Sequence, residues 1–77
     1  MRTINQEERT RIGAKIKELR AEKGISQRDL AELSGLSYSN IANIELGRYS
    51  VGLDVLSSIA TSLDCTIELI NKKNGKT

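Results

Sequence analysis

Residues 26–47, SQRDLAELSGLSYSNIANIELG, decide how this chain is read. Ser26 can cap a helix, and Asp29 three residues on supplies the acidic half of a capping box and a favourable charge near the N-terminus. Leu30 and Leu33 are expected to face inward, with the small Ala31 beside Leu30. Gly35 breaks this helix after Ser34. Ser37 then caps a second short helix, which Gly47 stops within about three turns. Ile41 and Ile44 lie three apart and share one side of it. The other side carries Tyr38, Ser39, Asn40 and Asn43, with hydroxyls and amides but no positive charge. Ordinary solvated faces favour Lys and Glu, which form helices well, whereas Ser and Asn do not. Such a face trades helix stability for directional hydrogen bonding.

Outward from this stretch, the period of 3.6 continues. Ile12, Ile16 and Leu19 mark the buried stripe of a helix from Gln6 to Lys23. Asn5 and Glu8 have the spacing of a capping box at its start, and Gly24 ends it where positive φ is needed. After the linker RYSVG, Leu53, Leu56, Ile59, Ala60 and Leu63 form the stripe of a helix from Leu53 to Leu63. The segment CTIELI changes period: Cys65, Ile67 and Leu69 alternate with Thr66, Glu68 and Ile70, as in a strand. A lone strand cannot satisfy its own backbone. Either the segment continues the helical bundle, or it pairs with its own copy across the two-fold axis of a dimer. The tail NKKNGKT is turn-prone.

Seventy-seven residues suit a single domain, 1–77, with a core over about 12–63 and a tail over 65–77. There is no Trp, Phe, Pro or His, so the core must be built from Leu, Ile, Val and Ala. The one cysteine, Cys65, cannot form an internal disulfide and reads as a small buried hydrophobe. MRTINQEERT lacks the apolar run of a signal peptide, and no stretch approaches the roughly 18 apolar residues of a membrane span. A cytoplasmic location is expected. The net charge of +2 is unevenly spread. Seven of the basic residues, from Arg2 to Lys23, crowd the first segment, and Lys72, Lys73 and Lys76 close the chain, yet none lies between Asp29 and Glu45. Charge alone is therefore a poor basis for gripping an anionic partner here.

Two short helices joined by SGLS have the outline of a helix-turn-helix. Ala31 is small where the helices cross, Gly35 permits the turn, and Leu30, Leu36, Ile41 and Ile44 anchor both helices on their neighbours. IGAKIKELRAEKGISQRDLAELSGLSYSNIANIELGRYSVGLDVLSSIATSL, residues 12–63, resembles the XRE family, the Cro/CI-type helix-turn-helix repressors of bacteria and their phages. GISQ, LAELSGLS and IANIELG carry the likeness. Ser34, Val51 and Asp64 depart from it, standing where many members have a larger apolar residue, Pro and Gly. The resemblance implies an all-α, four- to five-helix, lambda-repressor-like DNA-binding fold. CTIELI stands where many members continue into a fifth helix, and resembles the ending of Hip-type antitoxins, whose C-terminal strands pair across a dimer; Ile67, Leu69 and Ile70 would make that contact here.

The resemblance further implies sequence-specific binding to double-stranded DNA by a homodimer on a palindromic operator, with a recognition helix at about 38–46. Tyr38, Ser39 and Asn43 would face base edges. Asn suits this independently, because it can donate to and accept from adenine in the major groove. Gln27, aided by the helix N-terminus, would hold a phosphate. Arg28, Asn40, Arg48 and Ser50 are further backbone contacts. Arg20 and Glu45 match a structural ion pair tying the first helix to the third. Lys15 pairs with Glu18 on a solvated face. No His, metal-ligand cluster or phosphate-cradling glycine loop is present, so neither an enzyme nor a cofactor is expected. The expected function is a transcriptional repressor. The alternative is an antitoxin that neutralises a toxin partner and regulates its own operon.

Overall fold

The computed structural model describes residues 6–72, which form four helices. These are α1 (Gln6–Lys23), α2 (Gln27–Ser34), α3 (Tyr38–Glu45) and α4 (Leu53–Ser62). The expected Asn5–Glu8 box involves Asn5, outside the described residues. Glu8 itself turns to Arg11, whose Nη2 donates to Glu8 Oε1 over 2.6 Å. That guanidinium holds the Glu8 carboxyl below its ordinary range.

Local chemistry sets the ends of α2 and α3. The Ser26–Asp29 box closes in both directions: Asp29 N donates to Ser26 Oγ and Ser26 N to Asp29 Oδ2, each over 3.0 Å. The second bond holds the Asp29 carboxyl below its usual range. Gly35 ends α2 with φ 75°, where a side chain would be strained. Ser37 Oγ accepts from Asn40 N over 3.0 Å and starts α3.

The core comprises Ile16 of α1, Leu30 and Ala31 of α2, Ile41 and Ile44 of α3, Ile59 of α4, and Leu63 just beyond it. Ile12, Leu19, Leu36 and Leu56 pack around it, half-buried. Two expected core residues are not there. Leu33 is 62% exposed. With about 100° between successive residues, the inward stripe of α2 runs through Gln27, Leu30, Ala31 and Ser34, which turns Leu33 to solvent. Ser34 can lie inward because its hydroxyl donates to Leu30 O over 2.7 Å. Leu53 is 70% exposed: it opens α4 at the edge of a stripe formed by Val55, Leu56, Ile59 and Leu63.

α1 and α3 touch backbone to backbone at Gly13. A Cβ there would meet Ile44 O and, at 2.7 Å, Glu45 O. This glycine sets how closely the long helix supports the third.

The end of the chain does not continue the helical bundle. No fifth helix and no strand form among the described residues; residues 65–71 take no regular structure within this chain. A single chain supplies no neighbouring strand for a ladder. Cys65 N donates to Ala60 O over 2.8 Å, which returns the segment towards α4. Cys65, Ile67 and Ile70 border an apolar groove with Ile12, Leu19 and Leu56, while Leu69 is fully exposed. The two-residue alternation that put Leu69 with Cys65 and Ile67 therefore fails at Leu69 and Ile70. No described helix is long and apolar enough to cross a membrane.

Candidate nucleic-acid interface

Burial of Ile41 and Ile44 leaves the opposite face of α3 outward. Tyr38, Ser39 and Asn40 are exposed and Asn43 is half-buried. Behind this face lies a polar knot. Glu45, 8% exposed, accepts from Arg20 Nε over 2.7 Å and from Arg20 Nη2 over 3.1 Å. The bidentate guanidinium is further anchored by donating from Nη1 to Ile25 O over 3.0 Å. Its bond to Glu45 raises the Arg20 pKa above the ordinary value. Gln27 Nε2 also donates to Glu45 Oε1, over 2.9 Å. One buried carboxylate thus joins the end of α1, the start of α2 and the end of α3.

Gln27 therefore has one amide hydrogen committed inward, leaving the other hydrogen and Oε1 at the N-terminus of α2. Arg28, next in α2, lies over the Tyr38 ring with its guanidinium carbon 4.8 Å from the centroid. This cation–π contact crosses the turn and joins a cation to the first residue of α3. At the other end of α3, Arg48 Nη1 donates to Asn43 Oδ1 over 3.2 Å. Asn43 Nδ2 donates to Ser39 O over 2.9 Å and lies 3.4 Å from the Tyr49 hydroxyl. Ser50 is exposed beyond them. Behind the loop, Gln6 Nε2 and Arg9 Nε donate to Gly47 O over 3.2 and 3.4 Å, tying the start of α1 to the end of the third helix.

The fold thus brings Tyr38, Ser39 and Asn43 onto one hydrogen-bonding face, with Arg28 and Arg48 at its two ends. Arg20 and Glu45 lie behind it, and Ile67, Leu69 and Ile70 belong to the separate C-terminal segment. Tyr49, Gln6 and Arg9 are polar participants that periodicity did not single out. Tyr49 lies beyond Gly47, where helical spacing no longer relates residues, and Gln6 and Arg9 act across the fold. A face of uncharged donors and acceptors flanked by guanidinium groups can match base edges while meeting phosphates at its margins. Among the described residues, no group of three or more His, Cys, Asp or Glu is placed to hold a metal ion.

A helix-turn-helix family model matches residues 16–70. The chain is 37% identical over 59 residues to the immunity repressor protein of Bacillus phage phi105, covering 77% of this chain and 41% of that protein. It is 34% identical over 59 residues to the competence pilus inhibition repressor of Acinetobacter baylyi, covering 77% and 54%. These relatives are longer, and the match spans well under two thirds of each. Among solved structures, the restriction-modification controller protein C.AhdI from Aeromonas hydrophila superimposes with a TM-score of 0.78 and 36% identity, over 82% of this chain and 91% of that one. The clp gene regulator ClgR from Corynebacterium glutamicum gives 0.75 and 34%, over 77% and 76%. The chain belongs to the XRE-type helix-turn-helix family of DNA-binding transcriptional regulators.

Proposed function

We propose that this chain is a cytoplasmic transcriptional repressor that binds a palindromic stretch of double-stranded DNA as a homodimer, with α3 in the major groove. The observation that carries this reading is the outward face of α3, where Tyr38, Ser39 and Asn43 gather around buried Ile41 and Ile44. These three read base edges. Gln27, Arg28, Asn40, Arg48 and Ser50 surround them and meet the sugar-phosphate backbone, and the Arg20–Glu45 pair holds the helix angle. Arg48→Ala should weaken binding to all sequences, with a smaller added loss of preference through its bond to Asn43, while Asn43→Ala should weaken binding to the preferred sequence selectively. Fluorescence anisotropy on preferred and random duplexes reads both. Equal losses on the two duplexes for Asn43→Ala would overturn the base-reading role.

Exposed Ile67, Leu69 and Ile70 support a second copy at the C-terminal segment. Two copies would place two α3 helices on half-sites roughly 34 Å apart, so a duplex with one half-site should bind much more weakly than the full site. Undiminished affinity for the half-site would count against the dimer. A toxin is the alternative occupant of this segment. A toxin gene beside this one in the same operon would favour the antitoxin, and solitary placement would count against it.

A further inference from the structure

A surface carboxamide can present its oxygen or its amino group by turning through half a rotation. Two partners of Asn43 permit only one orientation. Arg48 Nη1, 3.2 Å from Oδ1, can only donate, and Ser39 O, 2.9 Å from Nδ2, can only accept. The oxygen therefore faces Arg48 and the amino group faces the backbone. The second amino hydrogen points to the Tyr49 hydroxyl, 3.4 Å away. Tyr49, 43% exposed, borders a recess with Leu36, Ile44, Val51 and Val55. A hydroxyl that accepts from Asn43 keeps its own hydrogen for an outside acceptor.

We propose that Tyr49 is a specificity-determining residue: with Arg48 it fixes the Asn43 carboxamide, and its hydroxyl hydrogen and the remaining Asn43 oxygen lone pair together form one reading edge. An acceptor beside a donor complements the major-groove edge of adenine, which offers N6–H and N7. Guanine offers two acceptors there and leaves the Asn43 oxygen without a partner. The inference rests on the reading of α3 as a DNA-reading helix and adds a residue outside that helix to it. Tyr49 acts both on the base and through Asn43, which separates it from a residue that only meets phosphate.

The test measures competitive binding to duplexes changed at each base pair of a preferred site, with wild type, Asn43→Ala, Tyr49→Phe and the double variant. Asn43→Ala should remove the preference for adenine at one position in each half-site. Tyr49→Phe should lower the preference at that same position by about threefold or more, a change larger than any loss on random-sequence DNA. The double variant should in addition lose any purine preference that the Tyr49 hydroxyl retains in Asn43→Ala, since N7 is shared by adenine and guanine. An unchanged preference in Tyr49→Phe, or an equal loss on random DNA, overturns the inference and leaves α3 as the reader. Absence of any base preference in the wild type overturns the DNA-reading proposal instead. In the free protein, Tyr49→Phe should shift the NMR signals of the Asn43 side-chain amide. Unmoved signals would refute the lock without reference to DNA.

Discussion

Gly13→Ala sets two physical effects against each other. Alanine is the better helix former by about 1 kcal/mol, so propensity alone predicts a more stable protein. The structure predicts the reverse. A Cβ at Gly13 would lie 2.7 Å from Glu45 O, against 3.4 Å or more for ordinary contact, and closer still to Ile44 O. Both obstacles are backbone carbonyls, which no rotamer change can move. Relief requires α1 and α3 to separate, loosening the contact of Ile16 and Ile44 with the rest of the core. Overpacking of this kind costs about 1–3 kcal/mol, and the rigid obstacle favours the upper end. Subtracting the propensity gain leaves a net loss of about 2 kcal/mol. For a domain of this size that corresponds to a fall in Tm of about 8–16 °C. Thermal and urea unfolding followed by far-UV circular dichroism measure it. A Tm equal to or above that of the wild type would refute the close approach of the two helices.

Three further perturbations probe the scaffold. Leu30→Ala should cost about 2–5 kcal/mol in urea unfolding, whereas Leu33→Ala should stay within about 0.5 kcal/mol despite the same chemistry. Glu45→Ala removes the shared acceptor of Arg20 and Gln27 and should cost about 3 kcal/mol, with less than additive loss when combined with Arg20→Ala in a double-mutant cycle. Asp29 has a folded-state pKa below its unfolded value, so its contribution is complete above the unfolded value and disappears as pH falls through the folded one. Asp29→Asn should therefore flatten part of the acid limb of stability below about pH 4, read from urea midpoints across that range. An acid limb identical to the wild type would count against the charged box.

The legible parts of this fold were those set by neighbouring residues. Ser26 with Asp29, Ser37 and Gly35 act within one turn, so their spacing shows their roles. Leu33 shows where this stops. In a helix of eight residues, Leu30–Leu33 and Leu30–Ala31–Ser34 are both plausible stripes, and packing against α3 and α4 selects the second. Ser58 Oγ, for instance, donates to Ser34 O over 2.8 Å. The C-terminal alternation presupposed a ladder, and without a partner strand Ile70 joins the groove while Leu69 does not. At the candidate interface, the outward residues of α3 follow from helical period. The Arg28–Tyr38 stack and the Arg48–Asn43–Tyr49 cluster do not, because each crosses a turn where no period applies. Gly13 was equally silent, since its function lies in the carbonyls of another helix.

The proposed role of α3 is to read bases through uncharged side chains. Repeated selection of bound duplexes from a random pool by the whole chain tests it most directly. An enriched, two-fold symmetric motif is expected, with half-site centres roughly 34 Å apart and preferences that weaken when Ser39 and Asn43 are both replaced by Ala. Failure to enrich any motif, or a motif unchanged by those replacements, would contradict it.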